Sequence, residues 1–262
     1  QARLAALDTL SGACFAVASV QAAAQRTMPP ALLASSIVTL KAGEEAPLDE
    51  LTHRLTDAGY ERCSQVEGMG QFSVRGGILD IFPPQAEHPY RVEFWDDEID
   101  SISTFDVGSQ RRLEQCETLR CLPCMEALPS LAKGGAAGLA KAVAALASSR
   151  RKKQHADLQK NLERDAERLR ENGTLPAADK YLPLIYPQMA TAFDYLPENT
   201  LILIEDTPRL RAAARDFHAR IADDVTALME RGEMPGGMDG YALDFAGICS
   251  IKRQIVRMDS FL

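Results

Sequence analysis

Residues 71–105 read QFSVRGGILDIFPPQAEHPYRVEFWDDEIDSISTF, a stretch in which apolar and polar positions largely alternate. A period of two is the signature of strands that keep one face on a core. Gln71 to Phe82 forms one such run, with Gly76-Gly77 marking a bulge or a point of close backbone approach. Tyr90 to Trp95 and Ile99 to Phe105 form two more, and Asp96-Asp97-Glu98 between them predicts a hairpin. Thr118 to Leu122 reads as the strand that closes this sheet. Just upstream, Leu48, Leu51, Leu55 and Ala58 share one helical face, Pro47 suits a first turn and Gly59 the position past the end. The expectation is a small α+β unit over residues 44–123, a helix laid on an antiparallel sheet.

The flanks follow a different grammar. Cys14-Phe15-Ala16-Val17-Ala18-Ser19-Val20 is a short continuous apolar run of the kind found in central parallel strands, and Ile37-Val38-Thr39-Leu40 is another, after the breaker Pro29-Pro30. Beyond Gly134-Gly135, residues 136–172 are dense in strong helix formers and stop at Gly173, which predicts one long helix or a helical hairpin. Thr200-Leu201-Ile202-Leu203-Ile204 is again a continuous apolar strand. Leu210, Ala214, Phe217, Ile221, Val225 and Leu228 then mark a helix running from Pro208 to Gly232. The fold class expected is α/β: a discontinuous parallel-sheet domain built from residues 1–43 and 124–262, with the α+β unit at 44–123 inserted.

The chain has 262 residues, 46% hydrophobic and 25% charged, a balance that permits a real core and excludes collagen, a disulfide scaffold and wholesale disorder. Lys and Arg number 29 against 37 Asp and Glu, a net charge of -8, so an overall basic phosphate-binding surface is excluded. The local run Arg150-Arg151-Lys152-Lys153 stays open, as a solvated helix face or as a contact to DNA. No apolar run approaches the roughly 18 to 20 residues of a bilayer span and no leader opens the chain, so a cytoplasmic protein without a membrane partner is expected. Of the six cysteines, Cys116, Cys121 and Cys124 cluster in sequence, but no second CxxC or His pair supplies further zinc ligands, which favours a packing role.

No phosphate loop, nucleophile elbow, zinc-protease helix or dinucleotide fingerprint is present. The histidines His53, His88, His155 and His218 have no ligand spacing and no nucleophile beside them in sequence. Ile204-Glu205-Asp206 at a strand end reads either as an acidic magnesium site or as a cap for the helix entered at Thr207-Pro208. What remains is a surface. Period two puts Arg91, Glu93 and Trp95 on one face of their strand and Val92 and Phe94 on the other, with Arg75 on a neighbouring strand. A guanidinium fork, a carboxylate and a large aromatic form either a partner-anchoring patch or a cross-strand salt bridge beside a half-buried Trp.

Phe72-Ser73-Val74-Arg75-Gly76-Gly77-Ile78-Leu79-Asp80-Ile81-Phe82-Pro83, followed by Tyr90 to Ile102, resembles the UvrA-interaction domain shared by the excision-repair helicase UvrB and the transcription-repair coupling factors. Phe105-Asp106 with Ser109-Gln110-Arg111 resembles its coupling-factor form. In the flanks, Val17 to Val20 resembles a helicase-type strand, and Phe193 to Pro197 resembles the stretch before UvrB's second acidic motif. UvrB carries Asp-Glu-Ser-His where this chain has Glu205-Asp206-Thr207-Pro208, a departure that puts ATP hydrolysis here in doubt. The resemblance implies a fragment of a degenerate, UvrB-like amino-terminal module: a truncated helicase-like sheet domain with no catalytic, cofactor or metal residues of its own. ATP and magnesium would belong to the parent's motor domains. It implies that Arg75, Arg91, Glu93 and Trp95 contact UvrA, with Glu93 receiving a UvrA cation or orienting Arg91. It further implies that the parent's carboxy-terminal domain masks this face, that RNA polymerase and DNA are met by other domains, and that the role is to bring excision repair to a stalled polymerase. The alternative is a fragment of a UvrB-type helicase that binds ATP and DNA, with magnesium at Glu205 and Asp206.

Overall fold

The computed structural model describes residues 2–12, 14–149 and 156–259. They divide into two compact units, one made of Leu32–Leu128 with the residues up to Ala6, the other of Leu7–Ala31 with the chain from Pro129 onward. Three short helices open the chain, α1 (Ala2–Leu10), α2 (Val20–Ala24) and α3 (Pro30–Ser36).

The first unit carries β1 (Val38–Lys41), α4 (Leu48–Asp57), β2 (Glu61–Arg62), β3 (Gln71–Arg75), β4 (Ile78–Ile81), β5 (Tyr90–Trp95), β6 (Glu98–Phe105), β7 (Arg112–Cys116) and β8 (Thr118–Cys121). Strands β2 to β7 make a six-stranded sheet in sequence order. Every pairing from β3 to β7 is antiparallel, and only the two-residue β2 joins parallel to β3. The register aligns Val74, Leu79, Val92, Ile102 and Cys116 in one cross-strand row. Leu79, Val92 and Ile102 are buried with Leu51 and Leu55 of α4 in a single core, as the apolar alternation requires. Asp49 and Glu50 in the first turn of α4 complement the helix dipole, and Gly59, at φ +86°, takes the left-handed position just beyond its end.

Two expectations change here. Gly76-Gly77 is the two-residue turn of the β3–β4 hairpin, Gly76 adopting φ +61°, and the register shifts lie elsewhere, at Glu93/Phe94 and at Ser103/Phe105. Close approach is nonetheless real at Gly77, where a Cβ would stand 3.0 Å from the Phe94 carbonyl oxygen. Thr118 to Leu122 does not close the sheet. β7 does so, and β8 pairs antiparallel with β1 in a separate two-stranded ribbon. That ribbon draws β1 into the same unit, so the contact-based boundary falls near Leu32, where the sequence pattern changes only at Glu44.

In the second unit, α5 (Gly135–Ser149) and α6 (Ala156–Asn172) pack on one another, the paired form of the expected helical segment. Leu139 and Val143 of α5 and Leu158, Leu162 and Leu169 of α6 are buried at helical spacing. Asp165 is buried with them and accepts from the Tyr181 hydroxyl at 2.9 Å while pairing with Lys180. The short helix α7 (Leu182–Ile185) follows. Then β9 (Leu201–Glu205) leads into α8 (Thr207–Glu230), and α9 (Phe245–Cys249) precedes β10 (Gln254–Met258), which lies parallel to β9. The parallel sheet is thus two strands among the described residues. Cys14 to Val20 is not a third: residues 14–19 have no regular secondary structure, are exposed and lie outside any ladder, with Phe15 and Val17 facing solvent, and Ser19 caps α2. An apolar run becomes a strand only where a neighbour offers backbone partners, and β9 is paired by β10 alone. Arg150 to Lys153 lie outside the described residues. No described helix is long and apolar enough to cross a membrane.

Candidate functional site

The face of the six-stranded sheet opposite its core gathers the site. Here the register aligns Ser73, Asp80, Arg91 and Ser103 across four strands. Asp80 is the hinge of this row. Its carboxylate is 1% exposed and accepts from Arg91 Nε at 2.7 Å, from Arg91 Nη2 at 2.9 Å and from Arg75 Nη2 at 2.8 Å. A buried carboxylate persists only when paired and hydrogen-bonded, and two guanidiniums meet that need. The bond to Asp80 in turn raises the Arg91 pKa further above its ordinary value.

The two arginines are not equivalent. Arg91 is 15% exposed and sits over the Phe105 ring, 4.6 Å from its centroid. Arg75, at the mouth of the β3–β4 turn, is 49% exposed and makes a single ion pair. Beyond Asp80, Arg91 donates from Nη1 to the Gln110 carbonyl at 3.4 Å and from Nη2 to Gln110 Oε1 at 3.2 Å. Gln110 is placed by a tight loop in which Asp106 Oδ1 accepts from both the amide and the hydroxyl of Ser109, at 2.7 Å each. Those bonds hold the half-buried Asp106 carboxyl below its ordinary pKa.

Glu93 accepts from Arg112 on β7 and, at 3.0 Å, from the Ser101 hydroxyl. The Arg112 bond is the main reason its pKa is lowered; partial burial opposes it and Ser101 assists. Glu93 therefore does not orient Arg91; Asp80, a closer acceptor on the adjacent strand, takes that place. Trp95 ends β5 opposite Glu98 and is 81% exposed, its indole unused by any core. Asp96 turns the hairpin at φ +58°. The structure thus brings Arg75, Arg91, Glu93 and Trp95 onto one sheet face. It adds Asp80, Ser101, Gln110 and Arg112, which the reading by residue type passed over. Three guanidiniums, of Arg75, Arg91 and Arg112, stand against the carboxylates of Asp80 and Glu93, and Glu98 lies across from the open Trp95.

The other candidates resolve differently. Asp206, at φ +53°, caps α8 by accepting from the Arg209 amide at 3.1 Å, the helix-entry role. Burial pushes the Cys124 thiol up to about 12 and that of Cys121 higher, so neither is a ready thiolate. Tyr60 beside them donates to the Leu122 carbonyl at 2.7 Å. Among the described residues no group of three His, Cys, Asp or Glu side chains is placed to hold a metal ion.

Within this helix-backed antiparallel sheet, residues 38–126 match the UvrB interaction domain family. The wider chain is 35% identical over 218 residues to the transcription-repair-coupling factor of Bacillus subtilis, covering 81% of this chain and 18% of that protein. It is 37% identical over 180 residues to that of Haemophilus influenzae, covering 68% and 15%, and 35% identical over 216 residues to that of Escherichia coli, covering 80% and 17%. The chain belongs to the transcription-repair-coupling factor family. It spans 18% or less of the length of these curated relatives.

Proposed function

We propose that this chain is a recruitment module that docks on UvrA through Arg75, Arg91, Glu93 and Trp95, and so brings excision repair to a stalled RNA polymerase. One observation carries the reading: within the matched residues 38–126, an aromatic that no core uses shares a sheet face with arginines already held in place by a buried carboxylate. Aromatic and arginine side chains dominate the energetics of protein interfaces, and preorganised side chains lose less entropy on binding. The half-exposed guanidinium of Arg75 suits an acidic counterpart on UvrA. In this reading the module itself turns over no nucleotide. ATP, magnesium, DNA and RNA polymerase engage other domains of a parent translocase, and the parent's carboxy-terminal domain covers the same face at rest. The coupling-factor identity of the relatives favours this reading over a UvrB-type helicase fragment. Trp95→Ala tests it by calorimetric titration with purified UvrA. We expect a loss of about 2 kcal/mol or more of binding energy with the far-ultraviolet circular dichroism unchanged; undiminished affinity overturns the assignment of Trp95.

A further inference from the structure

Arg91 has two edges that can each take a carboxylate in bidentate fashion, the side edge of Nε and Nη2 and the end edge of Nη1 and Nη2. Asp80 fills the side edge at 2.7 and 2.9 Å. Gln110 fills the end edge, its main-chain oxygen on Nη1 at 3.4 Å and its side-chain oxygen on Nη2 at 3.2 Å. These contacts are long and neutral where those to Asp80 are short and charged. Gln110 also holds φ +60°, a left-handed conformation that costs a non-glycine residue energy unless its surroundings enforce it. What enforces it is the loop itself: Gln110 Nε2 donates to the Val107 carbonyl at 2.8 Å, and its amide donates to the Asp106 carbonyl at 2.8 Å.

We propose that Gln110 is a built-in stand-in for a partner carboxylate, occupying the outward edge of Arg91 and leaving when a carboxylate of the docking protein arrives. The inference rests on the UvrA-docking reading and deepens it. The face is recognised by an exchange, in which a charged acceptor replaces a neutral one on a guanidinium that Asp80 keeps in position. A bond between a guanidinium and a carboxylate is stronger than one to a neutral oxygen, so the exchange runs toward the partner, while competition from Gln110 tempers affinity.

Gln110→Asn tests this, because Asn tolerates the left-handed conformation and its shorter side chain withdraws the oxygen from Arg91. Two measurements are made on the whole chain. In calorimetric titration with UvrA, Gln110→Asn should bind roughly three- to tenfold tighter, the size of one long hydrogen bond to a neutral acceptor that no longer competes. The gain should vanish when Arg91 is Lys, which has no bidentate edge. In nitrogen-15 NMR of the free chain, solvent exchange of the Arg91 Nη hydrogens should accelerate in Gln110→Asn. Equal or weaker UvrA binding by the folded variant, or a gain that persists in Arg91→Lys, overturns the exchange. Unchanged Nη exchange overturns the occupancy of that edge. If neither chain binds UvrA, the docking reading fails and the NMR result alone judges Gln110. Should Gln110→Asn not fold, Gln110→Gly, which relieves the backbone strain, takes its place with the same expected outcomes.

Discussion

Asp80 shows how a single buried side chain sets the chemistry of a surface. Its two arginine partners are drawn from the strands on either side, so removing one leaves a carboxylate with half its compensation in a site 1% exposed. Arg91→Ala is therefore expected to destabilise the chain by about 3 kcal/mol, the lower end for breaking a buried pair because Arg75 remains. Urea unfolding measures this, and a change below about 1 kcal/mol would contradict the pairing. Any UvrA affinity measured for Arg91→Ala must accordingly be read beside its stability, whereas Arg75 and Trp95 report on docking more cleanly. Glu93 makes a pH prediction. Its folded pKa lies below the ordinary value of 4.5 because Arg112 donates to it, so its stabilising contribution is present above that value and lost as pH falls through the folded pKa. The difference in urea midpoint between wild type and Glu93→Gln should stay constant at neutral pH and shrink under about pH 4. A difference independent of pH would rule the ion pair out. Arg91, Glu93 and Trp95 were legible from period two alone. Asp80 was not, since within Ile78-Leu79-Asp80-Ile81 it reads as a polar interruption, and only the register shows an arginine arriving from each side. Gln110 and Arg112 were hidden for a similar reason: their partners lie 19 positions away and on another strand, respectively.

At the level of elements, α4 and the β3–β6 meander follow from local pattern because each carries its own instructions. Leu51 and Leu55 face one way, Gly76 permits the turn, and the alternation of β5 survives the bulge at Glu93/Phe94. Leu55 is fully buried in the core shared with Phe72 and Leu79, and Leu55→Ala should cost about 2 to 5 kcal/mol in thermal or urea unfolding. A loss under about 1 kcal/mol would mean that α4 is not seated on the sheet as described. Elements that depend on a distant neighbour were harder to place. β8 has ordinary strand composition, and nothing local says that it joins β1 rather than β7. The run Cys14 to Val20 has the composition of a central strand but no ladder, and composition alone does not form one. α8 was simpler, because Pro208 near its start, Asp206 as its cap and Gly232 beyond its end are all local signals.

Across the whole molecule, the arginines, carboxylates and open tryptophan of the candidate site all fall within residues 38–126, in the first unit. The Asp165, Tyr181 and Lys180 network in the second unit is satisfied internally, and Asp206 caps a helix. The proposed recruitment role needs one rigid face and a scaffold to hold it. Calorimetric titration of UvrA with this chain, wild type against the double variant Arg75→Ala/Trp95→Ala, at low and at physiological salt, puts that to the test. The expected result is a saturable wild-type complex that weakens as salt rises and is lost in a double variant whose circular dichroism matches wild type. A folded wild-type chain that does not bind, or a double variant that binds as well as wild type, would contradict docking through this face.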